Sequence, residues 1–317
     1  MPATIISTRK ALRQWHLYLF VVPSLLLIGT FCYYPAISAI IHSFFDWQGS
    51  DQMQFLGLDN FKRALTDPIL RQSFGTMCIL VVANFFKMVP AILLAVVIHR
   101  LISDKWQYWY RVLLIVPMVV PGLVSLFIWK FFFDPNLGII NNAFDLLHIK
   151  HMLVWLDVNW FHSGTFRMDA PISWLSEPRL IIPSLIFWGF PWVGAVSVFI
   201  FLAGLQGIGT EVYEAAELDG ASPFQKFTHI ELPLIMTQVR LNVILMMIGA
   251  LQDYGLQFML LGGNGGAGMK GMVPGLWMFN RAFLAGEFGY ACSIGIILFF
   301  LILLMTYINN KYIRVDK

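Results

Sequence analysis

Six stretches of this chain, at about residues 17–41, 73–98, 110–133, 180–205, 233–261 and 288–308, are predominantly apolar. About 20 such residues suffice for a helix to cross the hydrocarbon core of a bilayer. Inside a bilayer the backbone has to satisfy its own polar groups, so stretches of this length are read as helices. The expectation is an all-α integral membrane protein with six transmembrane helices in a single transmembrane domain over residues 1–317. Composition agrees, with 58% hydrophobic and 12% charged residues and a mean hydropathy of +0.70. Soluble domains carry about 25% charged residues. A soluble enzyme, a nucleic-acid-binding domain and a disordered chain are all disfavoured. No small-residue cleavage site follows the first stretch, so it is read as a retained helix. The prolines at positions 23, 35, 90, 117, 121, 183 and 191 are tolerable where neighbouring helices satisfy the freed carbonyls.

Lysine and arginine placement sets the expected orientation. With the N-terminus inside, Arg9, Lys10, Arg13, Arg100, Lys105, Arg111, Lys311, Arg314 and Lys317 share 38 inner residues. Nine more, among them Lys62, Lys130, Arg167 and Arg281, are spread over 106 outer residues. The nearly threefold difference in density puts both termini in the cytoplasm. Cys32, Cys78 and Cys292 lie far apart in apolar surroundings and read as small buried side chains, not as a disulfide or metal set. The outer loop 134–179 is the longest, and its Trp155, Trp160, Phe161 and Trp174 read as interfacial anchors. The glycine-rich run from Gly262 to Lys270 misses the phosphate-loop spacing, because Lys270 falls one place late and no Ser or Thr follows.

The remaining inner segment, Gln206–Leu232, is acidic. Glu211 to Leu218 favours a short helix with acids near its positive end. Asp219 and Gly220 supply a turn. Ser222 then suits an N-cap, Pro223 the first helical position and Gln225 the third, which together make a capping box. Phe224, Phe227 and Ile230 recur three apart as an apolar stripe, and Pro233 opens the fifth stretch. Cytoplasmic lipid headgroups attract basic segments, so net negative charge favours a protein partner for this helix–turn–helix.

Two sequence signatures carry a family likeness. One is Glu214-Ala215-Ala216, then Asp219-Gly220-Ala221, then Phe227, Ile230, Leu232 and Pro233. The other comprises Ile200–Gln206, Pro117, Pro121, Trp129, Phe133–Asn136, Gly138–Asn141 and Phe55–Phe61. The chain resembles, over about residues 17–310, the permease subunits of ABC importers, and within them the carbohydrate-uptake branch of maltose and glycerol-phosphate permease-like proteins. Material around Lys150–Ala170 departs from the minimal form.

The resemblance implies the type I importer fold, with segment 211–233 as the coupling loop. It also implies a second permease subunit, similar but non-identical, so that the two form a heterodimer, with two cytosolic ATPase subunits and an extracytoplasmic sugar-binding protein. The chain needs no cofactor of its own; ATP and Mg belong to the ATPase. Lipid surrounds it and nucleic acid has no part. In maltose-type permeases the stretch corresponding to Met246, Gly249, Ala250 and Asp253 lines the sugar site.

Polar groups at membrane depth point the same way, each with a structural alternative. Asp253 and Gln257 lie four apart on one helical face, with Gly249 and Ala250 a turn earlier. Asp253 suits a sugar hydroxyl, a charge on the partner permease, or outer water. Lys87, with Asn84, could pair with Asp253, touch the partner permease or line the path. Trp188, Gly189, Trp192 and Gly194 could stack on a sugar ring or pack helices. An ABC importer permease for another solute, and a membrane-embedded enzyme, are the competing functions. The latter would need paired acids or a nucleophile–base set in the bundle.

Overall fold

The computed structural model describes residues 15–50 and 52–312. Arg9, Lys10, Arg13, Arg314 and Lys317, which enter the orientation argument, lie outside the described residues. The chain divides into two compact units: residues 1–65 with 281–297, and residues 66–280 with 298–317.

In the first unit α1 (Trp15–Ile28) runs through a π-helical turn at Gly29–Tyr33 into α2 (Tyr34–His42). A short antiparallel hairpin follows, β1 (Phe45–Asp46) and β2 (Gln54–Phe55), with Phe45 opposite Phe55. It leads to α3 (Asp59–Thr66). Buried Asn60 holds this corner, because its amide donates to the Ser43 and Phe45 carbonyls at 2.9 Å each. Arg63 forks onto both oxygens of Glu287 at 3.0 and 2.9 Å and lies over the Tyr290 ring.

The second unit is built around α4 (Pro68–Arg100), a helix of 33 residues. Asp67 caps it, accepting from the Ile69 and Leu70 N–H groups at 2.8 and 3.2 Å. Helix α5 (Asp104–Ile115) passes through a 3-10 turn and bends by 90° into α6 (Gly122–Phe132). The outer segment carries α7 (Ile139–Leu146) and α8 (Ile149–Leu156). Then come α9 (Ile181–Phe187), α10 (Ala195–Gln206), α11 (Thr210–Leu218) and α12 (Pro223–Lys226). A π-helical turn and α13 (Leu232–Leu234) lead to α14 (Met236–Gln252), α15 (Gly255–Leu261) and α16 (Pro274–Phe279). The last helix, α17 (Phe288–Tyr312), belongs to the first unit up to Ile297 and to the second beyond it.

Helices α4, α10 and α14 share the main core. Ala91, Ala95 and Val96 meet Val198, Phe201 and Leu205, with Val239 and Val243 closing the third side. Small residues let helix backbones approach, and close packing is what holds helices together where no water is displaced. Outward, the surface is apolar: Leu25, Phe31, Val82, Phe86, Phe300 and Leu304 are all exposed.

Three stretches that read as continuous are broken. Pro121, extended at ψ 136, separates α5 from α6. Residues 188–194, with Pro191 and a left-handed Trp192, separate α9 from α10. Asp253, extended at ψ 125, ends α14, and its carboxylate accepts the Gly255 N–H at 2.8 Å to start α15. By length and composition alone, three helices among the described residues can cross a membrane unaided, and up to six if each sharply bent pair counts as one. The cysteines are not the buried side chains expected: Cys32 and Cys78 are exposed on their helices and Cys292 is half-buried.

The 134–179 segment is ordered by two polar side chains. Asn141 is buried; its amide donates to the Pro135 and Ile172 carbonyls at 2.7 and 3.0 Å, and its oxygen accepts the Trp174 indole N–H at 2.7 Å. Gly138 precedes it because a Cβ there would strike the Asp134 and Phe132 carbonyls. Asp157 accepts from the Ser163 hydroxyl and N–H and from the Phe166 N–H. Those bonds, the Ser163 hydroxyl foremost, hold its carboxyl down at about 2. Trp155, Trp160 and Phe161 are exposed, whereas Trp174 is tied inward.

Candidate functional site

The acidic helix–turn–helix begins where α11 turns 73° away from α10. Helix α11 ends in a Schellman closure: Gly220, at φ +71, donates to the Glu217 carbonyl at 3.0 Å, and Ala221 donates to Ala216 at 2.9 Å. A side chain at position 220 would be strained by that φ. The capping box is present: the Ser222 hydroxyl accepts the Gln225 N–H at 3.3 Å, and the Gln225 side chain accepts the Ser222 N–H at 2.8 Å. Lys226 reaches back across the turn to Glu217 at 2.8 Å, and that bond holds the Glu217 carboxyl below its ordinary range.

The base of this element is pinned to the end of α4. Arg100 forks onto Glu231, Nε to Oε1 at 3.0 Å and Nη2 to Oε2 at 2.8 Å, and its Nη2 also donates to the Pro223 carbonyl at 2.9 Å. Glu231 is fully buried. The Tyr213 hydroxyl sits 3.1 Å from His99 Nε2 and 3.5 Å from Glu231. Burial first, and the Glu231 charge second, push that phenol up to about 12. Sequence reasoning missed this clamp, counting Arg100 only as a topological charge. The available signal was Glu231, an acid set between Ile230 and Leu232 at the mouth of an apolar stretch.

Around this base the predicted residues separate by exposure. Glu214, Ala215, Asp219 and Gly220 are exposed, while Ala216 is buried against the turn. Ala221, Phe227 and Ile230 are half-buried, and Pro233 is exposed. Phe227 packs on the main core, but Phe224 does not join it in one buried stripe. Phe224 is 73% exposed and Leu218 90% exposed, so the tip presents bulky apolar groups to its surroundings.

A second constellation lies at the break between α9 and α10. Lys87, Trp188, Gly189, Trp192 and Met246 line one cavity of about 410 Å³, with Asn84, Gly194 and Ser197. The other residues expected along the path lie outside that lining. Gly249 and Asp253 are exposed, Ala250 is half-buried and Gln257 is buried in α15. Asp253 and Gln257 do not share a helical face, because the helix stops between them. Nor do Lys87 and Asp253 pair: the ammonium donates instead to the Leu185 and Trp188 carbonyls, at 3.4 and 3.5 Å.

Over residues 91–314 the chain matches the family described as binding-protein-dependent transport system inner membrane component. The chain belongs to this family. Relatives match this chain over most of its length. It is 28% identical over 309 residues to the multiple sugar-binding transport system permease protein of Streptococcus mutans, covering 96% of this chain and 97% of that one. It is 30% identical over 278 residues to the diacetylchitobiose uptake system permease protein of Streptomyces coelicolor, covering 83% and 72%. In three dimensions it superposes on a chain of a bacterial ABC transporter involved in the import of the acidic polysaccharide alginate, with TM-score 0.77 at 19% identity, covering 96% and 97%. The inner membrane component therefore has the type I ABC importer permease fold.

Proposed function

We propose that this chain is the permease subunit of an ATP-driven, binding-protein-dependent importer of sugars or oligosaccharides. The observation that carries the reading is the acidic helix–turn–helix, rigid at its base through Arg100 and Glu231 and uncovered at its tip. Exposed apolar groups gathered at the end of a rigid element mark a protein-binding site. The sugar-uptake names of the relatives support the cargo class. On this reading the chain crosses the membrane six times with both termini in the cytoplasm, and its exposed apolar flanks face lipid. Glu214, Ala215, Ala216, Asp219, Gly220 and Ala221 enter a cleft of a cytosolic ATPase, with Phe227, Ile230 and Pro233 passing the motion to α14.

Two ATPase subunits hold ATP and Mg and carry out hydrolysis, and an extracytoplasmic binding protein delivers cargo. A second permease subunit covers the open faces of Gly249, Ala250 and Asp253. The two permeases then rock about a central site, with ATP and the loaded binding protein biasing the two states. The test is Gly220→Trp beside Glu214→Lys in the reconstituted complex. Both should insert normally, yet ATPase docking should weaken about tenfold or more, as for a central interface residue. Cargo-stimulated hydrolysis should fall with it. Normal docking and normal stimulated hydrolysis in both variants would remove the coupling role.

A further inference from the structure

The cavity that unites Lys87 with Trp188 and Trp192 is electrostatically one-sided. No Asp or Glu is part of its lining. Among the described residues Lys87 has no carboxylate partner, and its two bonds to helix-end carbonyls, 3.4 and 3.5 Å long, sit at the weak edge of hydrogen bonding. An ionisable side chain at membrane depth is costly to keep and marks a pathway or a binding site.

Two further features of the same wall have the same sign. Helix α10 begins at Gly194 with no side chain capping it, and Gly194 and Ser197 both line the cavity. The first N–H groups of a helix lack intrahelical partners and carry its positive end. In transporters, interrupted helices use such ends to hold anionic groups. Trp188, on the same lining, keeps its indole N–H sheltered from solvent and without an acceptor. The wall thus collects donors and positive charge and offers no charged acceptor.

We infer that the cargo is an anionic sugar, carrying a carboxylate, sulfate or phosphate. In transit that group lies between the Lys87 ammonium and the start of α10, with the Trp192 ring beside the sugar. A neutral sugar, whose hydroxyls each donate as well as accept, would leave the ammonium uncompensated. This inference rests on the sugar-importer reading and goes beyond it by fixing the charge of the cargo.

The test has two stages. First, the binding protein that serves this importer is screened by thermal shift against uronate, sulfated and phosphorylated oligosaccharides, each beside its neutral parent. Stabilisation by an acidic member over its parent is expected, and the arm that responds names the acid. Stabilisation by neutral sugars alone overturns the inference and leaves the sugar importer standing. Amino acids, peptides and metal ions are screened in parallel, and stabilisation by these alone overturns both.

Second, the complete importer in proteoliposomes is given the acidic sugar and its neutral parent side by side. Lys87→Gln should lower the ratio of acidic to neutral uptake by about tenfold, the loss expected when one charge-assisted hydrogen bond goes. Lys87→Arg should restore the ratio. An equal fall in both uptakes would make Lys87 a counter-charge to the partner permease or a folding residue, and would overturn the inference.

Discussion

Single polar side chains decide where this chain stops being helical. Asn141 shows how much one amide can organise: it serves two carbonyls and one indole from within the protein, with the Ile172 bond fully buried and the other two partly so. Leaving a buried donor or acceptor unmet costs about 1–3 kcal/mol each. Asn141→Leu, close in volume, should therefore destabilise the 134–179 segment by roughly 2–3 kcal/mol, since some of the three orphaned groups will find water. Trp174→Phe removes the indole donor together with one ring's packing and should cost about 1–3 kcal/mol. Limited proteolysis within the segment reads both, and an unchanged cleavage rate in Asn141→Leu would refute the assignment. Asn141 stood in the sequence as part of a family likeness, without a physical reason. The reason is visible only once Pro135, Ile172 and Trp174, up to 33 residues away, are brought around it.

At the scale of elements, what was legible is what is local. Ser222, Pro223 and Gln225 write a helix start in four consecutive positions, and Gly220 writes the stop before it, so the turn was readable from its own residues. The apolar runs likewise announce their helices. The breaks were not readable in the same way. Proline within an apolar run is compatible with a kink or with a full interruption, and the neighbours that satisfy the freed backbone decide between them. The Arg100–Glu231 clamp joins positions 131 apart, and no window of sequence contains both. Its energetics follow from burial: Glu231 is fully enclosed while Arg100 keeps a third of its side chain in solvent. Removing one partner of a buried pair strands the other charge. Glu231→Gln should thus lower the stability of the purified complex by about 3 kcal/mol, the low end for such pairs because the arginine can still hydrate. The double replacement Arg100→Met with Glu231→Leu should recover most of that loss. Thermal unfolding of the detergent-solubilised complex measures both. A double variant as unstable as the single one would place the cost in packing and not in charge.

Within the second unit, α4 acts as a ruler for the elements packed at its two ends. Thirty-three residues of helix extend about 50 Å, longer than a hydrocarbon core of about 30 Å. At its start, Asp67 accepts the Trp277 indole N–H at 2.9 Å, and Gln72 and Thr76 bond the glycine-rich loop at Met269 and Lys270. At its far end, His99 and Arg100 bond Tyr213 and Glu231 of the helix–turn–helix. The glycine-rich loop and the acidic element therefore lie at opposite ends of one membrane-length helix, which fits the opposite sides that charge density assigns them. The orientation itself follows from labelling. With Cys32, Cys78 and Cys292 replaced by alanine, single cysteines at Asp219, Arg167 and Lys317 should report three positions with a membrane-impermeant maleimide. Arg167→Cys should label in intact cells, whereas Asp219→Cys and Lys317→Cys should label only after permeabilisation. Labelling of Asp219→Cys from outside would invert the topology and remove the helix–turn–helix from reach of any cytosolic ATPase. Equal labelling of Arg167→Cys and Lys317→Cys from outside would instead leave the acidic element in place but change the number of crossings, because an even count of spans returns both ends of the chain to one side.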